Sequence, residues 1–251
     1  MSDNWIVANL ENAFATWNDK MAEIWTLVTT SPEHFKGGTV WSVVEGINGG
    51  LQAIGLGLLV LFFAMSIFKS TASFRDFQRP EYALRHFIRF VAAKVAITYA
   101  MDLMVALYTI CGGVVSQIAG SLGGVGGASV SLPAAIETAV EDAGFWASIP
   151  LWLVTILGSL FITIMSFIMI MSVYGRFFRL YMYTALAPVP LATFAGETTA
   201  EMGKHFVKSY VGVCLEGAVI VLACIIFTAF SSSSTPTLDT SITTVTMIWK
   251  Y

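Results

Sequence analysis

Charge is what this 251-residue chain most lacks: Asp, Glu, Lys and Arg make up 12% of it, while 56% is hydrophobic. An ordinary soluble domain carries about 25% charged residues, so the composition excludes that class and predicts an integral membrane protein. The formal net charge of −3 argues against a basic nucleic-acid-binding surface as the dominant feature, while leaving room for local basic patches. A secretory signal peptide is not expected, because the first fifty residues are acidic and amphipathic, without a short basic stretch leading into an apolar one. Cysteine is scarce. Cys111, Cys214 and Cys224 lie in apolar sequence with no CxxC or zinc spacing, and are read as packing thiols.

Catalytic signatures are also missing. His34, His86 and His205 are isolated from one another, and no HExxH, GxSxG or Walker-type sequence occurs. The stretch SLGGVGGASVSLP is glycine-rich but lacks the following Lys and Ser or Thr of a phosphate-binding loop, so it is read as a loop. Neither enzyme activity nor a cofactor or metal is expected, and energy would come from a partner or from the membrane potential. No internal repeat is visible, which weakens the case for a transporter built from duplicated halves.

What is present is a series of long apolar runs. A hydrocarbon core of about 30 Å needs about 20 helical residues, and the runs 46–68, 83–118, 149–174, 180–196 and 210–230 meet or approach that length. The expected fold is all-α: a polytopic domain over 46–230 with about five spans. An amphipathic N-terminal region, 1–45, precedes it and a polar tail, 231–251, follows. In the N-terminal region Trp5, Leu10, Phe14, Trp17, Met21, Trp25 and Val28 recur at helical spacing. Such a helix lies at an interface, docks on a partner, or packs on the protein's own spans.

The fourth run, LYMYTALAPVPLATFAG, holds Pro188 and Pro190 near its middle. Proline lacks a backbone N–H and its ring clashes with the preceding turn, so the pair predicts a break or sharp kink. At membrane depth, backbone groups freed in this way need protein or water partners. Basic residues near span ends mark the cytoplasmic side. Lys69, Arg75, Arg79, Arg85 and Arg89 therefore place loop 69–82 inside, the Lys- and Arg-free loop 119–148 outside, the N-terminus outside, and Arg176 and Arg179 inside. Whether the proline-broken run crosses or dips in and returns decides the side of the tail, and both arrangements stay open.

Lys94, Asp102 and Glu216 are the charges expected within spans, where a central charge costs roughly 2.5 to 3.5 kcal/mol. Each should face protein or water, as lumen lining or as a structural contact. A Lys94–Glu216 pair between helices is one such arrangement. Gly46 and Gly50 have GxxxG spacing and Gly55 and Gly57 continue a low-bulk surface, which suits close packing within one subunit, between subunits, or at a kink. Arg75, Arg79, Arg85 and Arg89, interleaved with aromatics, are candidates for docking a cytoplasmic partner or a nucleic-acid phosphate chain, and Arg176 and Arg179 join them as cytoplasmic basic contacts. The alternative is a topology anchor attracted to anionic lipid.

Three segments in this order, FKSTASFRDFQRPEYALRHFIRFVAAK, IPLWLVTILGSLFITIMSFIMI and YGRFFRLYMYTALAPVPLATFAGE, followed by MGKHFVKSYVGVCLEGAVIVLACIIF, resemble the TrbL-like inner-membrane subunits of type IV secretion and conjugation systems, especially those of Gram-positive conjugative elements. The resemblance implies a channel or platform subunit that assembles as a homo-oligomer with other secretion subunits. Separate cytoplasmic ATPases would power export of single-stranded DNA with its attached protein, or of protein. It also implies five spans with the C-terminus inside. A secondary transporter or ion channel, and a non-conducting scaffold, are the competing readings.

Overall fold

The computed structural model describes residues 5–71, 80–121 and 145–233, together with Ser131 and Thr138. Arg75, Arg79, most of the glycine-rich connection and the polar tail lie outside the described residues. All described regular structure is helical: α1 (Trp5–Thr29), α2 (Thr39–Thr71), α3 (Pro80–Thr98), α4 (Ala100–Ser121), α5 (Phe145–Leu186), α6 (Pro188–Ala192) and α7 (Ala200–Ser233), with single 3₁₀ turns at Phe35–Gly38 and Thr193–Ala195. Four of these helices are long and apolar enough to cross a membrane, over Thr39–Lys69, Ala100–Ile118, Trp152–Leu186 and Ala200–Ile226. The chain is a polytopic all-α membrane protein.

The boundaries depart from the uncharged runs in two places. The run 83–118 is two helices that meet at Tyr99, although neither proline nor glycine stands there. Gln52 of α2 lies against this junction, its Nε2 donating to the carbonyls of Ile97 (3.1 Å) and Thr98 (2.8 Å), while the backbone bonds into and out of Tyr99 stay at 2.9 Å. The run 180–196 is not a span of its own. Its first part completes α5, and Ala187 separates α5 from α6, which is five residues long.

The residues form two compact units, described separately. In the first, α1 lies on the N-terminal part of α5, burying Ile6, Val7, Leu10, Ala13, Ile24 and Val28. Asn9 Nδ2 donates to Ser159 Oγ at 3.2 Å, and the Trp5 and Trp152 rings sit 5.5 Å apart. The amphipathic helix thus packs on a helix of its own chain.

The second unit, Thr29–Ile118 with Gly175–Val219, holds the larger core: Leu59, Ala93, Ile97, Met104, Tyr108, Leu180, Leu191, Tyr210 and Cys214 among others. Three buried tyrosines each donate to a backbone carbonyl, Tyr108 to Thr30, Tyr181 to Pro32 and Tyr210 to Met104, all at 3.0 Å. The first two tie down the segment before α2. Phe35 adds a stacked contact on Phe177, with centroids 4.2 Å apart. Cys111 and Cys214 are buried free thiols.

Candidate functional site at the interrupted helix

The site is built outward from Pro188. An alanine at this position would donate its N–H to the carbonyl four residues back, that of Thr184. Proline has no such donor. The carbonyl is satisfied from another helix: Asn48 Nδ2 of α2 donates to Thr184 O at 2.7 Å, and Asn48 is itself buried. Ala187 N adds a long bond of 3.4 Å to the same oxygen. Beyond the break, Leu191 N returns to Ala187 O at 3.1 Å and Thr193 Oγ1 donates to Pro190 O, so the chain turns through α6 and the 3₁₀ turn with its carbonyls occupied.

α2 approaches this segment closely because Gly55 carries no side chain. A Cβ at position 55 would lie 2.7 Å from the Pro188 carbonyl oxygen and 3.1 Å from its carbon. Since the obstacle is backbone, no rotamer change would relieve it. Asn48, Gln52, Gly55, Leu59, Phe62 and Ser66 recur at three or four residues and form one face of α2. That face donates to two helix junctions, Asn48 to the one before Pro188 and Gln52 to the one at Tyr99. At its far end Ser66 Oγ lies 3.4 Å from His86 Nδ1, both buried.

A family model described as TrbL/VirB6 plasmid conjugal transfer like protein matches residues 17–188, from within α1 to the proline that opens α6. The chain belongs to this TrbL/VirB6 family. It is therefore a membrane subunit of a conjugal transfer or type IV secretion system, whose partners are the other subunits of that system. No curated protein and no solved structure matches it.

In this TrbL/VirB6-family chain the remaining candidate residues separate into distinct surroundings. Arg176, placed by its sequence position among cytoplasmic basic contacts, is fully buried. Its Nε and Nη2 donate to the carbonyls of Val213 (3.3 Å) and Cys214 (3.1 Å) on α7, and its guanidinium lies 5.8 Å from the Tyr108 ring centre. Gly217 makes the space: a Cβ there would be 2.7 Å from the guanidinium carbon and both terminal nitrogens. Positive-inside counting locates a residue near a span end but carries no helix register, and α5 continues ten residues beyond Arg176 to Leu186.

Glu216 pairs with Arg179, at 2.8 Å, and not with Lys94. Arg179 is three residues from Arg176 and Glu216 adjoins Gly217, so both arginines of α5 are held by neighbouring turns of α7. Arg89 pairs with Glu197, at 3.1 Å, linking α3 to the chain just beyond the broken segment. Arg85 is exposed on α3. Lys94 and Asp102 are exposed on α3 and α4, and among the described residues neither has an ion-pair partner. Gly46, Gly50 and Gly57 are exposed with open space where a Cβ would be. Gly55 is the member of that glycine series at a close approach, and Pro190 is half-buried beside Pro188.

Sequence reasoning missed Asn48, Gln52 and Gly217. For the first two a signal existed: amides on the apolar run 46–68, four residues apart and so on one helical face, point to a polar contact with another element. Nothing in the local sequence of Gly217 marks it as the cradle for a side chain 41 positions earlier.

Proposed function

We propose that the chain is a non-enzymatic channel or platform subunit of a type IV secretion machine in the bacterial cytoplasmic membrane, with its N-terminal side external. It assists the export of single-stranded DNA with attached protein, or of protein. Copies of the chain assemble with one another and with other secretion subunits, and separate cytoplasmic ATPases supply the energy. The observation that carries this reading is the interrupted helix of a conjugal transfer family member, held by a purpose-built face of α2: Asn48 caps the freed carbonyl and Gly55 admits the turn. Interrupted helices at membrane depth are tolerated where they are buried in protein or line an aqueous path, and a passive structural span has no need of one.

Conjugative transfer from a donor carrying a clean in-frame deletion of the gene, with and without the gene restored in trans, tests the reading. Loss of transfer with full rescue is expected. Undiminished transfer would overturn it and leave a secondary transporter or ion channel as the reading to pursue, tested in turn by saturable solute uptake into vesicles containing the purified protein.

A further inference from the structure

One face of α3 and α4 carries charged and hydroxyl side chains among exposed apolar ones, Val91 and Val95 included. Lys94, Thr98, Asp102, Thr109, Gly113 and Ser116 follow one another at three, four or seven residues, and all are exposed. That spacing places them along one stripe of the two consecutive helices, whose backbone bonds continue through the junction: Tyr99 N to Val95 O and Leu103 N to Tyr99 O, both 2.9 Å. On the neighbouring flank Tyr99, Ile110 and Val114 are exposed as well, at 58%, 68% and 44%. A lipid-facing helix surface accounts for the second set and not for the charged members of the first.

The depth of the polar face is fixed by α2. Gln52 contacts α3 at Ile97 and Thr98, while Phe63 packs on Phe90 with ring centres 4.7 Å apart. Lys94 therefore lies alongside the stretch between Gln52 and Phe63, inside the span Thr39–Lys69. Asp102 is in the first turn of α4, one turn beyond the Gln52 contact. Thr98 and Thr109 return their hydroxyls to the carbonyls of Lys94 and Val105, so those two side chains are tolerable in lipid. The charged pair is not so relieved. Lys and Asp side chains at this depth, exposed and with no ion-pair partner among the described residues, face an aqueous cavity or a second protein surface. A neighbouring copy in the same membrane orientation would meet the face at equal depth, so Lys94 and Asp102, two turns apart, would not neutralise one another across such a contact. Opposite charges along a line of hydroxyls and a bare glycine suit water.

We propose that this face of α3 and α4 is the water-facing wall of the conduit, and that Glu216, held by Arg179, is not part of it. The proposal rests on the channel-subunit reading and assigns its lumen. A charged, membrane-impermeant methanethiosulfonate tests it in membranes of conjugation-competent donors with the whole machine present. Single cysteines replace Thr98, Thr109 and Ser116 on the polar face, and Tyr99, Ile110 and Val114 on the flank. Modification is followed peptide by peptide by mass spectrometry, so that Cys111, Cys214 and Cys224 need no replacement. Variants are scored only if they still transfer DNA; Thr→Cys and Ser→Cys are near-isosteric, and three positions per face guard against loss of one.

The polar-face thiols are expected to react at least tenfold faster than the flank thiols. Equal rates, faster reaction on the flank, or silence on both faces would overturn the proposal. Failure here is separable from failure of the channel reading: if deletion abolishes transfer while the polar face is silent, the subunit reading stands and the lumen lies elsewhere. If the polar face reacts and deletion leaves transfer intact, the wall is aqueous but serves small solutes.

Discussion

Asn48 and Pro188 form a donor exchange that makes a coupled prediction at the scale of single residues. Asn48→Leu removes the 2.7 Å bond to Thr184 O and leaves a buried carbonyl with a poor 3.4 Å contact, for an expected loss of about 1–3 kcal/mol. Pro188→Ala supplies an N–H to that same carbonyl, so in the Pro188→Ala background the loss from Asn48→Leu should shrink by about 1 kcal/mol or more. Thermal unfolding in detergent of the wild type, both single variants and the double variant closes the cycle, and additive losses would show that the two donors do not compete. The glycines of α2 give a second contrast. Gly55→Ala drives a Cβ against the Pro188 backbone and should destabilise by about 1–3 kcal/mol. Gly57→Ala meets open space in the middle of a helix, and should be neutral or stabilising by up to about 1 kcal/mol. Equal unfolding temperatures for the two variants would remove the close approach from the account.

At the scale of elements, the break between α5 and α6 is predicted to matter for transfer more than for folding. Replacing both Pro188 and Pro190 with alanine restores two backbone donors and allows α5 to run on, which would carry the chain away from the α2 face. Transfer should fall well below wild type while the amount of protein in the membrane changes little; normal transfer would detach the break from the mechanism. Glu216→Gln tests the neighbouring ion pair, since the amide keeps size and hydrogen bonding while losing the charge that faces Arg179. Both side chains are over a third exposed, so stability should change by less than about 1 kcal/mol, and reduced transfer would then report a need for the charge itself. The break was legible in the sequence because proline acts through its own backbone, and the long helices were legible because apolar runs of membrane length have few alternatives. The clamp was not. In the sequence Gly55 is one of four glycines suited to close packing and Asn48 carries no reading, and only the register between α2 and the broken segment brings them to Thr184 and Pro188. The contact at the Tyr99 junction escaped for the same reason, its donor being an amide 45 residues before Ile97 in α2. Arg176 and Arg179, read as cytoplasmic basic contacts after the third run, lie on interior turns of α5, because charge counting sees position along the chain and not which face is covered.

For the whole molecule the decisive quantity is the number of crossings. Within the larger unit α2 and α3 run antiparallel, since Ser66 meets His86 while Gln52 meets Ile97. The end of α5 and the start of α7 are antiparallel too, since Arg176 meets Val213 and Cys214 while Tyr183 meets Phe206. Segment 187–199 is thus a return between two long helices, and α6, at five residues or about 8 Å, is too short to cross. Among the described residues four helices, α2, α4, α5 and α7, are long and apolar enough to cross, and four crossings are the expected number, against about five expected from the apolar runs. An even count predicts that the chain before α2 and the C-terminus are labelled from one side, and positions next to Lys69 and Glu201 from the other. It also returns Lys204 and Lys208 to the side of the Lys69–Arg89 connection, in keeping with the absence of Lys and Arg between Val211 and Trp249. In intact cells, Ser42→Cys and a peptide tag placed after Tyr251 should both be reached by impermeant reagents from outside. Lys69→Cys and Glu201→Cys should react only after the membrane is opened. A tag protected while Ser42→Cys is labelled would restore the fifth crossing, and would require the segment around Pro188 to thread the bilayer as two half-helices joined at the clamp.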